Sequence, residues 1–360
     1  MNQWLQLRRG FTLVELLVAT AVTVVLAGPL VAVATNVLRA WQRSGGQLEG
    51  AAQATLVLDL LERDLRAAVL RRDGRVWLAA TGQPDQSGAG DIGGSLASWA
   101  AMGGVKPGSS SPGTVNSSLQ LNPASGRLED DRFGMAGVWL RFITTVPDDN
   151  REMGSTSASR AVAYQLVRHS LASGPGSTVR YSLFRAEVRP SGDRSTFTTG
   201  YGLFGDAYNK PAVGGSNLAD PGTVRRPRRD QLLANNVIDF GVRIWTRDAG
   251  GAPAIAFPQS STNLGFAATA RDGTASLDAA WGANPALPPA AASAHFYPAG
   301  EMTYGFPEGV EVFVRVLTEE GARQIEAFES GRARAQTWWE IALAHSLVQT
   351  RWIPIGGFAP

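Results

Sequence analysis

Hydrophobic and polar positions divide the chain into an uncharged stretch, an amphipathic stretch and a long mixed remainder. Residues 16–38, LLVATAVTVVLAGPLVAVATNVL, carry no charged side chain. As a helix rising ~1.5 Å per residue, this run spans roughly 34 Å, enough for the hydrocarbon core of a bilayer. Gly28-Pro29 interrupts it. Proline removes a backbone hydrogen bond and crowds the preceding turn, so a kink or a locally melted turn is expected within the membrane. After Trp41 the pattern turns amphipathic. Val57, Leu58, Leu61, Leu65, Ala68 and Val69 follow helical spacing on one face, while Asp59, Glu62, Arg63, Asp64 and Arg66 mostly line the other. Gly45-Gly46 introduces flexibility between the halves, and Asp73-Gly74 is the expected stop. The pattern thus predicts a membrane helix over 11–38 and an amphipathic continuation over 39–73.

The remainder, 74–360, reads as a β-rich domain with long loop insertions at about 82–136, 205–230 and 248–300, where Gly, Ser, Ala and Pro accumulate. Between them lie runs of bulky and β-branched residues. Residues 137–145 (GVWLRFITT), 161–170 (AVAYQLVRHS), 180–188 (RYSLFRAEV), 236–246 (NVIDFGVRIWT) and 310–317 (VEVFVRVL) are predicted strands. The second and third, separated by Gly-Pro-Gly, read as a hairpin. Residues 348–355 (VQTRWIPI) are expected to close the sheet at an edge because of their proline. Thr318-Glu319-Glu320 looks like a helix cap followed by acids, with the helix running to about Ser330 and ending at Gly331. Residues 336–346 are a further candidate helix. The fold class is therefore α+β: one long N-terminal helix on a mainly antiparallel sheet with loops.

Composition narrows the chemistry. At 360 residues the chain is long enough for about two domains. With no cysteine, disulfides, thiolate metal sites and cysteine nucleophiles are excluded. Three histidines, His169, His295 and His345, argue against a multi-histidine metal centre. The formal charge of +2 comes from 33 basic and 31 acidic side chains, so the surface as a whole is not built for nucleic acid.

The start of the chain carries the sharpest signal. Arg8 and Arg9 before the apolar run favour a cytoplasmic N-terminus, although Arg39 and Arg43 beyond it oppose that reading. The run is too long for a secretory signal core, and it starts at Glu15, a carboxylate such a core does not place there. From position alone, Glu15 either snorkels to the interface or has a function. The word Gly10-Phe11-Thr12-Leu13-Val14-Glu15, after two arginines and before the apolar run, resembles the class III signal of type IV prepilins and pseudopilins. The resemblance implies cleavage by prepilin peptidase between Gly10 and Phe11, N-methylation of Phe11, and Glu15 as the fifth mature residue, where the family places a glutamate. It also implies insertion in the bacterial inner membrane, N-terminus inside and the C-terminal domain periplasmic, before assembly with other pilin or pseudopilin subunits. Physically, glycine leaves the scissile bond unencumbered. A carboxylate near the new terminal amine of a neighbouring helix removes a desolvation cost that neither charge bears alone. Gly28-Pro29 falls somewhat earlier than the family's usual proline, so the position of the bend departs from the pattern.

The phrase LLERDLRAA at 60–68 and the order of hairpin, NVIDFGVRIW strand and VEVFVRVL strand resemble J-type pseudopilins and W-type pilus-assembly proteins. The large insertions and the ending WWEIALAHSLVQTRWIPI are similar to the prepilin-like cassette C proteins of Verrucomicrobia. The function implied is a minor pilin-like structural subunit of a type IV pilus or type II secretion-like filament, with no enzymatic activity. The loss of Arg8 and Arg9 with the leader leaves 31 basic and 31 acidic side chains, so the charge excess serves targeting.

Other constellations are weaker. No nucleophile triad, phosphate loop or HExxH word occurs, and no cofactor is expected. Glu129-Asp130-Asp131 and Asp148-Asp149 are oxygen donors without calcium-loop spacing, so no metal site is assigned. Arg225, Arg226, Arg228 and Arg229, around Pro227, form the densest basic cluster. A solvated loop is the plainer reading; as an anion-binding patch, these arginines and the long loops give the alternative of a filament-tip adhesin or DNA-binding module, with nucleic acid the less favoured partner. Trp99, Trp338 and Trp339 are candidate surface anchors, but the adjacent pair on one helix places at least one in a core.

Overall fold

Helix α1, Leu13–Arg66, contains both patterns read from the sequence, the uncharged run and the amphipathic one. The computed structural model of the protein describes residues 12–69, 76–82, 119–120, 132–133, 138–145, 159–170, 179–188, 203, 229–247, 251–257, 277–281, 295–296, 303–304, 307–332 and 337–355. The chain divides into two units, Met1–Leu48 and Glu49–Pro360. The backbone stays helical through Gly28-Pro29 and through Gly45-Gly46. Of the two outcomes expected at the proline, the melted turn is absent from this conformation.

The helix stops at Arg66, well short of the expected Asp73-Gly74. The sheet captures the chain there. Val69 N donates to Ile143 O at 2.8 Å, Thr145 N donates to Ala67 O at 3.0 Å, and Ala68 bridges Thr144. The Thr144 hydroxyl donates to Asp64 O at 2.9 Å, satisfying a carbonyl that a helix end leaves open. Ala68 and Val69, read as the last turn of an apolar helix face, are instead strand-like.

Fourteen strands are described: β1 Leu78–Gly82, β2 Leu119–Gln120, β3 Arg132–Phe133, β4 Val138–Thr144, β5 Arg160–Ser170, β6 Val179–Val188, β7 Leu232–Asn235, β8 Val237–Arg247, β9 Pro253–Phe257, β10 Leu277–Trp281, β11 His295–Phe296, β12 Thr303–Tyr304, β13 Gly309–Leu317 and β14 Ser346–Pro354. Helices α2, Glu319–Glu329, and α3, Trp338–Ala344, lie between the last two. The main strands form two antiparallel sheets rather than one, ordered β10-β1-β4-β5-β6-β7 and β14-β13-β8-β9. The chain passes between them at Asn236, whose φ of 58° is left-handed, a conformation asparagine tolerates. The expected hairpin is β5–β6, and the proline-bearing β14 is an edge strand as expected.

The expected loop regions contain structure. β2 and β3 lie within 82–136, and β9, β10 and β11 lie within 248–300. A 3-10 turn, Arg229–Gln231, closes the 205–230 region. Short strands such as β10 (LDAAW) are poor in β-branched residues, so only pairing in the sheet reveals them.

Ala54, Val57, Leu58, Leu61 and Leu65 of α1 are buried in one core with Phe142, Tyr164 and Leu183 of the first sheet and Phe240, Val312 and Val314 of the second. This burial anchors the amphipathic half, since each buried Val or Leu contributes roughly 1.5–3 kcal/mol. A second cluster puts α2 and α3 on Tyr181, Ile238 and Leu317. Trp338 and Trp339 are both buried there, which removes them as surface anchors; Trp99 lies outside the described residues. Thr318 caps α2 as expected, and Thr337 and Glu340 cap α3 reciprocally.

Candidate functional site

The site begins where helix α1 begins. Thr12 and Glu15 form a reciprocal cap. Thr12 N and the Thr12 hydroxyl each donate to Glu15 Oε2 at 2.9 Å, and Glu15 N donates to Thr12 Oγ1 at 3.3 Å. Two open backbone donors are thereby satisfied, and the helix start is fixed beside Leu13. Thr12 is a residue that the motif reading passed over. The T-x-x-E spacing at 12–15 is its signal in the sequence.

Downstream, residues Leu13–Leu38 make a helix long and apolar enough to cross a membrane. Its hydroxyls do not stand open. Thr20, Thr23 and Thr35 donate to the carbonyls of Leu17, Ala19 and Ala32 at 2.8–2.9 Å. Glu15 is thus the one ionisable side chain among the described residues of this span. It is exposed, and its described partner is a neutral residue of its own turn.

A second acid on α1 has the opposite setting. Asp64, expected on the polar face, is 0% exposed. Its Oδ2 accepts from the Tyr164 hydroxyl at 2.7 Å and from Arg185 Nε at 2.6 Å. Arg185 also donates to Glu187 at 2.8 Å, and Arg160 donates to the other oxygen of Glu187 at 2.7 Å. Burial and the Asp64 charge raise the Tyr164 phenol well above its usual range. Burial works against the Arg185 charge, but Tyr164, Asp64 and Glu187 outweigh it and raise the guanidinium's hold on its proton. On the second sheet, Arg351 of β14 reaches Asp59 at 2.5 Å and Glu62 at 2.9 Å. The lower half of α1 is thus fixed by polar contacts to both sheets. Its spacing of three from Leu61 and seven from Val57 sets Asp64 at the border of the apolar face, a signal in the sequence; β5 and β6 supply its partners.

Of the residues the sequence singled out, the structure describes Glu15, Gly28 and Pro29 in full. Gly10, Phe11, Arg225, Arg226 and Arg228 lie outside the described residues, as do Glu129-Asp130-Asp131 and Asp148-Asp149. Arg229 opens the 3-10 turn, and its side chain is likewise outside them. Space around Gly28 is open, with nothing within 4 Å of an added Cβ, so no close packing requires glycine there.

The prokaryotic N-terminal methylation motif matches residues 5–31. That interval includes Gly10, Phe11, the Thr12–Glu15 cap and Gly28-Pro29. No curated protein and no solved structure matches the chain. The chain therefore carries a prepilin-type methylation motif followed by an apolar helix of membrane-spanning length, the one such helix among the described residues.

Proposed function

We propose that this chain is a minor pilin- or pseudopilin-like structural subunit without enzymatic activity. Prepilin peptidase cuts it between Gly10 and Phe11 and methylates Phe11. The protein waits in the bacterial inner membrane with its N-terminus cytoplasmic and its β-rich domain periplasmic. It then assembles with other subunits into a type IV pilus or type II secretion-like filament. The observation that carries this reading is the coincidence, within residues 5–31, of the methylation motif, an exposed Glu15 and an uncharged helix.

Cleavage at Gly10 makes Phe11 the terminal residue, one position before the Thr12 cap and four before Glu15. The new amine is a cation entering an apolar phase, and Glu15, one turn along a neighbouring helix, is the counter-charge. Pairing between neighbouring subunits offsets both desolvation costs and sets the axial register. The finer likeness to J-type pseudopilins and W-type pilus proteins rests on the LLERDLRAA phrase and strand order, and that to cassette C proteins on the large insertions and the C-terminal segment.

Mass spectrometry of the chain from cells with and without prepilin peptidase tests processing. The expected product starts at methylated Phe11 and is lost with the peptidase. An uncleaved chain in peptidase-positive cells, or a cut near 32–34, refutes the proposal. For assembly, Glu15→Gln is expected to insert in the membrane normally yet fail to enter filaments.

A further inference from the structure

We infer that one end of the second sheet, on the face turned away from α1, is a binding platform for a neutral, β-linked pyranose polymer. In β13, Val310, Val312 and Val314 enter the core shared with α1, so strand alternation turns Gly309 and Glu311 to the opposite face. The antiparallel register sets two cross-strand rows on that face: Trp352–Glu311–Arg243 and, beside it, Pro354–Gly309–Trp245.

Trp352 leans diagonally across the second row. A Cβ at position 309 would overlap its ring, so glycine there lets the indole lie flat on the strand. Trp245 meets it edge-on from the other side, with ring centroids 6.2 Å apart at 62°. The ring is thereby held in place but not covered: Trp352 remains 49% exposed. Packing over a glycine accounts for one face of the indole. It does not account for the other, which stays in water.

The chemistry around the ring selects the occupant. Among the described residues after Leu56, the exposed large apolar side chains are Trp352 and Leu343, so the described residues form no extended apolar surface around the ring. A protein interface of ordinary size needs ~800 Å² from each partner. The rim is polar instead. Glu311 stands opposite Trp352 in the register, and exposed Thr350 is two residues away on the same strand face. Charges come in pairs: Arg243 lies 3.9 Å from Glu311, and Arg247 pairs with Glu308. The patch therefore offers one flat apolar face, a carboxylate, a hydroxyl and no net charge. A pyranose ring has the matching surface, with C–H bonds on its face and hydroxyls at its perimeter. β-Linked polymers present such faces in flat ribbons. The site does not depend on N-terminal processing.

The test uses the purified full-length chain in a zwitterionic detergent without a sugar headgroup. Cellulose and chitin beads are the neutral probes, and carboxymethyl-cellulose is the anionic control. The wild type is expected to be retained on a neutral matrix, to be released by cellohexaose or chitohexaose, and to be insensitive to salt. Trp352→Ala and Thr350→Arg are each expected to weaken retention about tenfold, or ~1.4 kcal/mol. Leu343→Ala is expected to change nothing. Thr350→Arg covers the face while leaving the indole packed on Gly309, so its result does not depend on tolerance of the tryptophan loss. The proposal is overturned by no retention on either neutral matrix, by retention on the anionic one alone, or by full retention in both variants. Self-association abolished by Trp352→Ala would equally overturn it, in favour of a second copy of the chain.

Discussion

Glu15 and Asp64 are carboxylates on one helix with opposite surroundings. Glu15 stands in an uncharged run, is exposed, and is held by Thr12 of its own turn. Asp64 stands among charged neighbours in the sequence, yet it is fully buried and held by Tyr164 and Arg185 from two strands. The difference shows where each charge finds its compensation. Asp64 is neutralised within the molecule and therefore fixes the helix to the domain. Glu15 has a neutral partner within its own turn, which is what the proposed pairing with a neighbouring subunit requires.

The largest expected effect is at the buried acid. Asp64→Ala leaves Arg185 in a buried site with Glu187 as its remaining acid, and breaking a buried pair costs about 3–5 kcal/mol. Urea unfolding of the full chain measures this. A loss below ~1 kcal/mol would place Asp64 with the ordinary surface acids and dissolve the contrast with Glu15.

Tyr164→Phe removes one hydrogen bond to a charged group and is expected to cost about 1.5–3 kcal/mol at neutral pH. It also changes the alkaline limb. The Tyr164 phenol titrates higher in the folded state than its usual 10.0, so its contribution is full below about pH 10 and is lost as pH rises through the folded value. The wild type should lose stability steeply above pH 10, and Tyr164→Phe should lose it less steeply. Parallel limbs would show that this hydroxyl is not the buried titrating group.

The outer lock is weaker. Arg351→Ala should cost under about 1 kcal/mol, and less in high salt, because its partners Asp59 and Glu62 are partly solvated. A salt-independent loss of several kcal/mol would make it a second buried anchor.

Acid exposes a smaller term. The Arg180 hydrogen bond is the main cause holding Glu319 below its usual 4.5, so this contribution is present above pH 4.5 and fades as pH falls through the lowered value. Glu319→Gln should flatten the acid limb slightly without moving the alkaline one. Smallest of all is the expected effect of Glu15→Gln on folding of the β-rich unit: no change in its unfolding midpoint while assembly is lost. A fall in that midpoint would give Glu15 a structural role like that of Asp64.

Much of this was legible in the residues. The uncharged run, the Thr12–Glu15 spacing and the word around Gly10-Phe11 need no partner segment, because bilayer transfer, helix capping and peptidase recognition act on contiguous chain. The main strands β4, β5, β6, β8, β13 and β14 were readable from alternation and β-branching, and the cap of α2 from Thr318; the reciprocal cap of α3 emerged with the structure. Tertiary structure decided the rest. It ended α1 at Arg66, because Val69 and Thr145 hydrogen-bond across the β4 junction. It buried both Trp338 and Trp339 on Ile238 and Leu317, and split the strands into two sheets at Asn236. It also turned Asp64 inward, since a helix face is polar or buried only with respect to what is laid against it. Local sequence sets a side chain's angle around the helix axis; the strands packed on that axis decide whether the angle meets water, a cation or a tyrosine.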